Sequence, residues 1–249
     1  MDREVRDNQS AWQSASAKYV RERADLLRQA REEPHLTEVE RRLLDPLLAS
    51  APAVVHLQSG HGLDDVALVA AGARSVVGLD YSEVATASAR RRAAELGLPA
   101  AYVVAEVPAA ALRAECADLV YTGKGALIWM RDLPAWAADV ARLLRPGGHL
   151  FVFEGHPAAV LWSWDEDEPR VRPDRDYFQT SHVNDSFPAL GARQWQWTLG
   201  QVVMAVVGAG LELRHLGEHA EPFWRPGGVA AAAWDGRLPN TFSLLARRR

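Results

Sequence analysis

Val54-Val55-His56-Leu57-Gln58-Ser59-Gly60-His61-Gly62 reads as a buried strand that runs straight into a tight, glycine-bearing turn. Leu63-Asp64-Asp65-Val66-Ala67-Leu68-Val69-Ala70-Ala71 follows as a helix, closed by Gly72. Ser75-Val76-Val77-Gly78-Leu79 is a second strand, and Asp80 stands at its tip. The order is strand, glycine turn, helix, strand, carboxylate. Glycine lets the backbone approach a ligand closely, and a helix start presents unpaired N–H groups. An acid about 20 positions after the turn suits a ribose diol.

The neighbours of the turn narrow the ligand. A dinucleotide fingerprint has a third glycine three residues after the second, so that helix and strand pack closely. Asp65 occupies that position here, preceded by Asp64. Two carboxylates in a first helical turn suit the helix dipole but repel a pyrophosphate. No Gly-Lys-Ser/Thr phosphate loop is present either. The pattern favours a nucleoside without phosphates, and S-adenosylmethionine (SAM), a sulfonium cation, is the common one.

Upstream, residues 7–31 form an amphipathic helix with Trp12, Tyr19, Leu26 and Ala30 on one face. It either packs on the domain or acts as a lid whose Trp12 and Tyr19 close over a ligand. Thr37 and Glu40 form a capping box for a second helix ending near Leu48. Residues 1–50 are thus an N-terminal helical lid on a domain spanning 51–249. Downstream, Ser82 caps a helix that Gly97 closes, and residues 101–105 are a third strand with Glu106 at its end. A carboxylate there can accept from an exocyclic amine such as that of adenine. Residues 117–121 are a fourth strand, leading to a second glycine turn, Thr122-Gly123-Lys124-Gly125. Asp132 caps the next helix, Arg145-Pro146-Gly147-Gly148 turns, and 149–154 is a fifth strand.

The alternation then stops. Residues 155–198 are rich in Trp, Asp, Arg and Pro, Trp162, Trp164, Asp165, Asp167 and Tyr177 among them. The segment is too long for a plain connection and too aromatic for a disordered linker, so it is read as an inserted cover. A helix from Leu199, a strand at 211–216, a loop at 218–240 and a last strand at 241–246 complete the chain. Alternating strands and helices imply a doubly wound, mostly parallel α/β sheet, covered on both faces. Ligands in such sheets bind at the carboxyl ends of the strands, where Gly60, Gly62, Asp80, Glu106, Thr122 and Gly123 converge.

The 249 residues carry a net charge of −4, with 48% hydrophobic and 24% charged residues. That charge disfavours nucleic acid. The single cysteine, Cys116, excludes an internal disulfide framework. No apolar run reaches the ~18 residues that span a bilayer, and the N-terminus is not a signal peptide. A cytoplasmic monomer or homodimer is expected, with no membrane association and no metal.

The chain resembles the class I SAM-dependent methyltransferases, most closely over residues 50–154. His56-Leu57-Gln58-Ser59 and Gly62-Leu63-Asp64 look like the nucleotide loop of a bacterial small-molecule subgroup. Val77-Gly78-Leu79-Asp80-Tyr81-Ser82 matches the ribose strand, and Ala105-Glu106-Val107 the adenine position. Asp118-Leu119-Val120-Tyr121-Thr122 and Leu143-Leu144-Arg145-Pro146-Gly147-Gly148 match further motifs. The resemblance implies a Rossmann-like sheet of seven strands, the last antiparallel and inserted between the fifth and sixth. It implies SAM as cofactor, S-adenosylhomocysteine as product, and Tyr81, Ser82 and Val107 as cofactor contacts. The chain departs from the family at Gln58, where a glycine is usual, and at His56, where an acid helps hold the methionine amino group. Tyr19, backbone carbonyls near Ser59, or Thr122 could replace that acid.

Methyl transfer is an in-line displacement in which positioning supplies much of the rate, roughly 7–11 kcal/mol at most. A base is required only when the acceptor carries a proton of high pKa. His156, His182, Tyr177 and Glu154 are the candidates, and Trp12, Tyr19, Trp162 and Trp197, with Trp164 and Trp195, could line an acceptor pocket. The expected reaction is methyl transfer to an N or O atom of a small molecule such as a secondary metabolite. The alternatives are a SAM-fold protein that catalyses a non-methylating step or serves as a scaffold, and an NAD-binding oxidoreductase.

Overall fold

The computed structural model describes residues 3–32, 36–108, 110–162, 170–184, 191–225 and 227–249. The expected N-terminal helix bends at Glu22 into α1 (Arg3–Arg21) and α2 (Arg23–Glu32). Glu22 N donates to Lys18 O and Leu26 N to Glu22 O, both at 3.0 Å, so the ladder continues through the bend. Helix α3 (Glu38–Leu48) starts with the expected capping box. Glu40 N donates to Thr37 Oγ1, and Glu40 Oε2 accepts from Thr37 N at 2.7 Å.

Strand β1 (Ala53–Leu57) is followed by α4 (Leu63–Ala70), β2 (Ser75–Asp80), α5 (Glu83–Leu96) and β3 (Ala100–Val104). Then come β4 (Ala117–Gly123), α6 (Leu133–Leu143) and β5 (Leu144–Gly155). A separate two-stranded piece pairs β6 (Ser181–Val183) with β7 (Arg193–Trp195). Helix α7 (Leu199–Gly208), β8 (Leu211–His219) and β9 (Thr241–Arg248) end the chain. The main sheet has the order β3-β2-β1-β4-β5-β9-β8, with β9 antiparallel to both neighbours. This is the seven-stranded, doubly wound arrangement expected from the sequence. The order reverses at β1, which pairs with β2 on one side and β4 on the other, so the crevice opens at the ends of β1 and β4.

Both faces are covered. Trp136, Val140, Leu143 and Val202 pack with Leu57, Val120 and Val152 on one side; Leu44, Leu48 and Leu68 pack with Val54, Tyr121 and Phe151 on the other. The turn expected at residues 145–148 bulges out within β5: Leu144 pairs with Ala117 and His149 with Leu119. Arg145 spans the bulge to reach Asp118, the one residue opposite.

Helix α1 is tied down on two sides. Gln9 Nε2 donates to Tyr81 O at 2.8 Å, and Ser82 Oγ donates to Gln13 Oε1 at 2.8 Å. Asn8 makes a two-bond clamp on β7: its Nδ2 donates to Arg193 O at 2.8 Å and its Oδ1 accepts from Arg193 N at 2.7 Å. The segment expected as a cover contributes β6 and β7 to this contact. Trp164, Asp165 and Asp167 of that segment lie outside the described residues.

Candidate functional site

Two cavities adjoin at the carboxyl ends of β1 and β4. The smaller, of about 200 Å³, is walled by the glycine turn, Asp64, Asp80, Tyr81 and the 123–126 loop. The larger, of about 690 Å³, lies under β7 and the 223–224 loop. Trp12, Tyr19, Lys124, Gly125 and Trp129 belong to both walls and mark where the cavities meet.

The turn is built on backbone conformations that its sequence partly resists. Gln58 takes a φ of +58°, Gly60 +53° and Gly62 +70°. At Gln58, where the family has glycine, the left-handed conformation is held by a side-chain bond from Nε2 to Ala126 O at 2.7 Å. Gly62 has no room for a side chain: a Cβ would lie 2.6 Å from Tyr102 Oη and 3.0 Å from Ala89 Cβ. Gly62→Ala is therefore expected to lower stability by about 2 kcal/mol, from strain and overpacking together. Its midpoint of urea unfolding checks this, and an unchanged midpoint would show that Tyr102 yields freely.

Asp80 closes the turn. Its Oδ2 accepts from Gly60 N at 3.0 Å and its Oδ1 from Ser82 N at 2.7 Å. Burial outweighs these bonds and pushes the carboxyl up to about 6. His61, between the two glycines, is 5% exposed and faces the Tyr19 ring at 4.4 Å. Burial, with the Arg92 guanidinium nearby, pushes its imidazole down to about 4, so it is neutral at physiological pH.

Beneath the turn lies a network of buried charge. Lys124 Nζ contacts Asp64 Oδ1 and lies 3.1 Å from Glu40 Oε1. The Glu40 Oε1 also accepts from Tyr121 Oη at 2.5 Å. His56 Nδ1 lies 2.6 Å from Asp65 Oδ1, and its ring meets Tyr121 edge-on at 4.8 Å. Burial alone would lower the His56 pKa, but the Asp65 carboxylate reverses that and the net shift is upward. Both acids at the start of α4 are thus paired to basic groups rather than turned bare toward the crevice. Lys124 and Glu40 are the residues that sequence reasoning underused. A lysine between two glycines at a strand end was the available signal.

Of the expected cofactor residues, Tyr19, Gln58, Ser59, Gly60, Asp80, Tyr81 and Gly123 stand on the smaller cavity's wall. Gly62, Ser82, Glu106, Val107 and Thr122 line neither cavity. Gly62 packs on Tyr102, and the Ser82 hydroxyl caps α5 at Ala85 N. Val107 belongs to the core. Thr122 is fully buried, with Oγ1 3.4 Å from Leu57 O.

The expected acceptor residues Trp12, Tyr19, Trp162 and Trp197 all line the larger cavity, with Trp129, Trp195 and Trp224 beside them. The three expected catalytic residues separate. Tyr177 is off the cavity wall, its Oη accepting from Leu199 N at 3.3 Å. His156 is on the wall, but its Nδ1 accepts from Ala158 N at 3.1 Å as a helix cap. Its Nε2 lies 2.9 Å from Glu218 Oε1. His182 is on the wall with Nε2 3.0 Å from Gln194 Oε1. Glu154 accepts from Gly125 N, Ala126 N and Leu127 N at 2.6–2.8 Å and so anchors the loop between the cavities.

The smaller cavity fits a nucleoside that carries an amino-acid chain. A carboxylate, Asp80, stands where β2 ends, and an acid–base pair, Asp64 and Lys124, stands on its wall. Gln58 Oε1 and both ring nitrogens of His61 are buried without a partner. Such atoms are costly unless a ligand supplies the missing bond. Among the described residues, no helix is long and apolar enough to cross a membrane.

Comparison with known proteins agrees with this geometry. Residues 54–148 match a family described as a methyltransferase domain. Nocamycin O-methyltransferase of Saccharothrix syringae is 32% identical over 205 residues, covering 79% of this chain and 72% of that protein. The crystal structure of an S-adenosylmethionine dependent methyltransferase from Mesorhizobium loti aligns with a TM-score of 0.66 and 26% identity, over 82% of this chain and 96% of the other. The cyclase SpnF aligns over 95% of both chains with a TM-score of 0.58 at 16% identity, a likeness of fold alone. The chain belongs to the class I SAM-dependent methyltransferases: it is an enzyme of that family, and SAM is its cofactor.

Proposed function

We propose that the enzyme methylates an oxygen atom of a largely apolar small molecule, a secondary metabolite or a compound of that kind. The observation that carries this reading is the aromatic cavity of about 690 Å³ that adjoins the nucleoside cavity along Trp12, Tyr19 and Trp129. A cavity of this size, apolar with a few polar groups, holds a drug-sized ligand. Oxygen rather than nitrogen is favoured by the kinship with nocamycin O-methyltransferase.

When bound, SAM supplies a methyl group on a cationic sulfur, open to in-line attack. The protein's task is then to align the acceptor and exclude water. In this reading residues 1–50 act as a lid over both cavities, and the cover at 155–198 closes the acceptor side. Tyr19, Gln58, Ser59, Gly60, Asp80, Tyr81 and Gly123 hold the cofactor. Trp12, Tyr19, Trp162 and Trp197 hold the acceptor. His182 is the proposed base for an acceptor hydroxyl, oriented by Gln194.

The test is S-adenosylhomocysteine release with a panel of hydroxyl-bearing aromatic and macrocyclic acceptors, run beside matched amines. Turnover of the amines alone would transfer the reading to nitrogen. With a working acceptor, Trp162→Ala is expected to lower acceptor kcat/KM about tenfold through lost aromatic contact. The SAM dissociation constant should stay unchanged. A drop in SAM affinity instead would remove Trp162 from the acceptor pocket.

A further inference from the structure

We propose that Asp64 and Lys124 together recognise the amino-acid end of SAM, Asp64 taking the ammonium and Lys124 the carboxylate. Recognition of this kind is independent of which acceptor is methylated.

Three observations lead here. First, the group that stands where the family has an acid, His56, is consumed by the protein itself: Nδ1 is held by Asp65 at 2.6 Å and the ring is 2% exposed. Second, of the three substitutes weighed from the sequence, Thr122 is fully buried, its hydroxyl 3.4 Å from Leu57 O, and lines neither cavity, while Tyr19 and Ser59 stand on the smaller cavity's wall but bring no charge to meet an ammonium or a carboxylate. Third, the carboxyl and amino side chains on the smaller cavity's wall are Asp64, Asp80 and Lys124. Asp80 is committed at the end of β2, where it accepts from Gly60 N and Ser82 N. That leaves Asp64, at the start of α4, and Lys124, just after β4, beside the ends of the two central strands.

The chemistry matches the ligand. An α-amino acid is a zwitterion, and a matched cation and anion on one wall complement it without changing the net charge of the site. The Lys124 ammonium has three N–H donors, and the two carboxylates Asp64 and Glu40 account for two of them. Glu40, locked by Tyr121 and the Thr37 cap, keeps the lysine in place while Asp64 is shared with the ligand. Partnerless polar atoms on Gln58 and His61 in the same wall point independently to a polar ligand. The acid lost at position 56 is thus replaced from the neighbouring helix rather than from the strand.

The test is calorimetric titration of the full-length protein with S-adenosylhomocysteine and with 5′-methylthioadenosine, which lacks the amino-acid chain. Asp64→Asn, nearly isosteric, is expected to weaken S-adenosylhomocysteine by about ten- to a hundredfold, the range of a charge-assisted hydrogen bond. The same variant should bind 5′-methylthioadenosine as the parent does. Equal loss for both ligands, or loss for neither, would overturn the assignment. The unmodified protein gives a second reading that does not depend on the variant folding. It should prefer S-adenosylhomocysteine to 5′-methylthioadenosine, and to the decarboxylated analogue, by at least about tenfold each. Equal affinity for the first pair overturns the role of Asp64 and Lys124 together, and equal affinity for the second overturns that of Lys124.

Discussion

Glu154→Ala is expected to destabilise the protein by about 3–5 kcal/mol, the usual loss when one partner of a buried charged arrangement is removed. The carboxylate is 2% exposed and accepts from three consecutive amides, Gly125, Ala126 and Leu127. Burial raises its pKa, and the amide bonds pull it back toward the charged form. Truncation leaves three N–H groups pointing into a closed space, each worth about 1–3 kcal/mol when unpaired. Glu154→Gln keeps an acceptor for Ala126 and Leu127 but turns a donor toward Gly125, so its loss should be intermediate. Urea unfolding of both variants checks the order. Equal midpoints for the parent and the alanine variant would show that the loop finds other partners. Because that loop also walls both cavities, the alanine variant should lose cofactor affinity as well.

Cofactor affinity is expected to fall about tenfold between pH 7 and pH 5 because of Asp80. Its carboxyl is raised from 3.8 to about 6 in the free protein. A raised acid holds its proton more tightly in the fold than in the unfolded chain. Its contribution to stability is therefore present at low pH and lost as pH rises from about 4 through about 6. A ribose diol donating to the carboxylate favours the charged form and lowers the pKa again. Binding then releases a proton in that window, and affinity rises with pH and levels off above it. His61, down at about 4, titrates below this range. Asp80→Asn should bind about 10–100-fold more weakly at pH 7 and give a flat profile, as a charged hydrogen bond is lost. Calorimetry across pH 5–7.5 decides it, and a slope that persists in the asparagine variant would assign the titration to another group.

The strand–turn–helix–strand unit around Gly60 was legible because its determinants are local: an apolar run, glycines at positive φ and an acid at a strand tip. The capping box at Thr37 and the caps at Ser82 and Asp132 were legible for the same reason. The antiparallel seventh strand came from family resemblance, since no local pattern encodes which strand it joins. The charge network was hidden. Tyr121 and Glu40 are 81 residues apart and Lys124 and Asp64 are 60, so only the folded chain reveals the pairs. His156 was a candidate because it follows a strand on the ligand side; what the sequence did not show is that its ring caps the short helix begun by Pro157. Tyr177 sits in the aromatic insertion, but the insertion's path sends it to α7 instead of the cavity.

The Asn8 clamp on Arg193 has a consequence for self-association. Among the described residues β7 pairs with β6 alone, and an unpaired strand edge is a template for strand addition between molecules. Asn8 offers β7 one donor and one acceptor, the same pair that a neighbouring strand would offer. A single side-chain amide from a helix far away in sequence thereby occupies the N–H and C=O of Arg193, the groups through which a further strand would add.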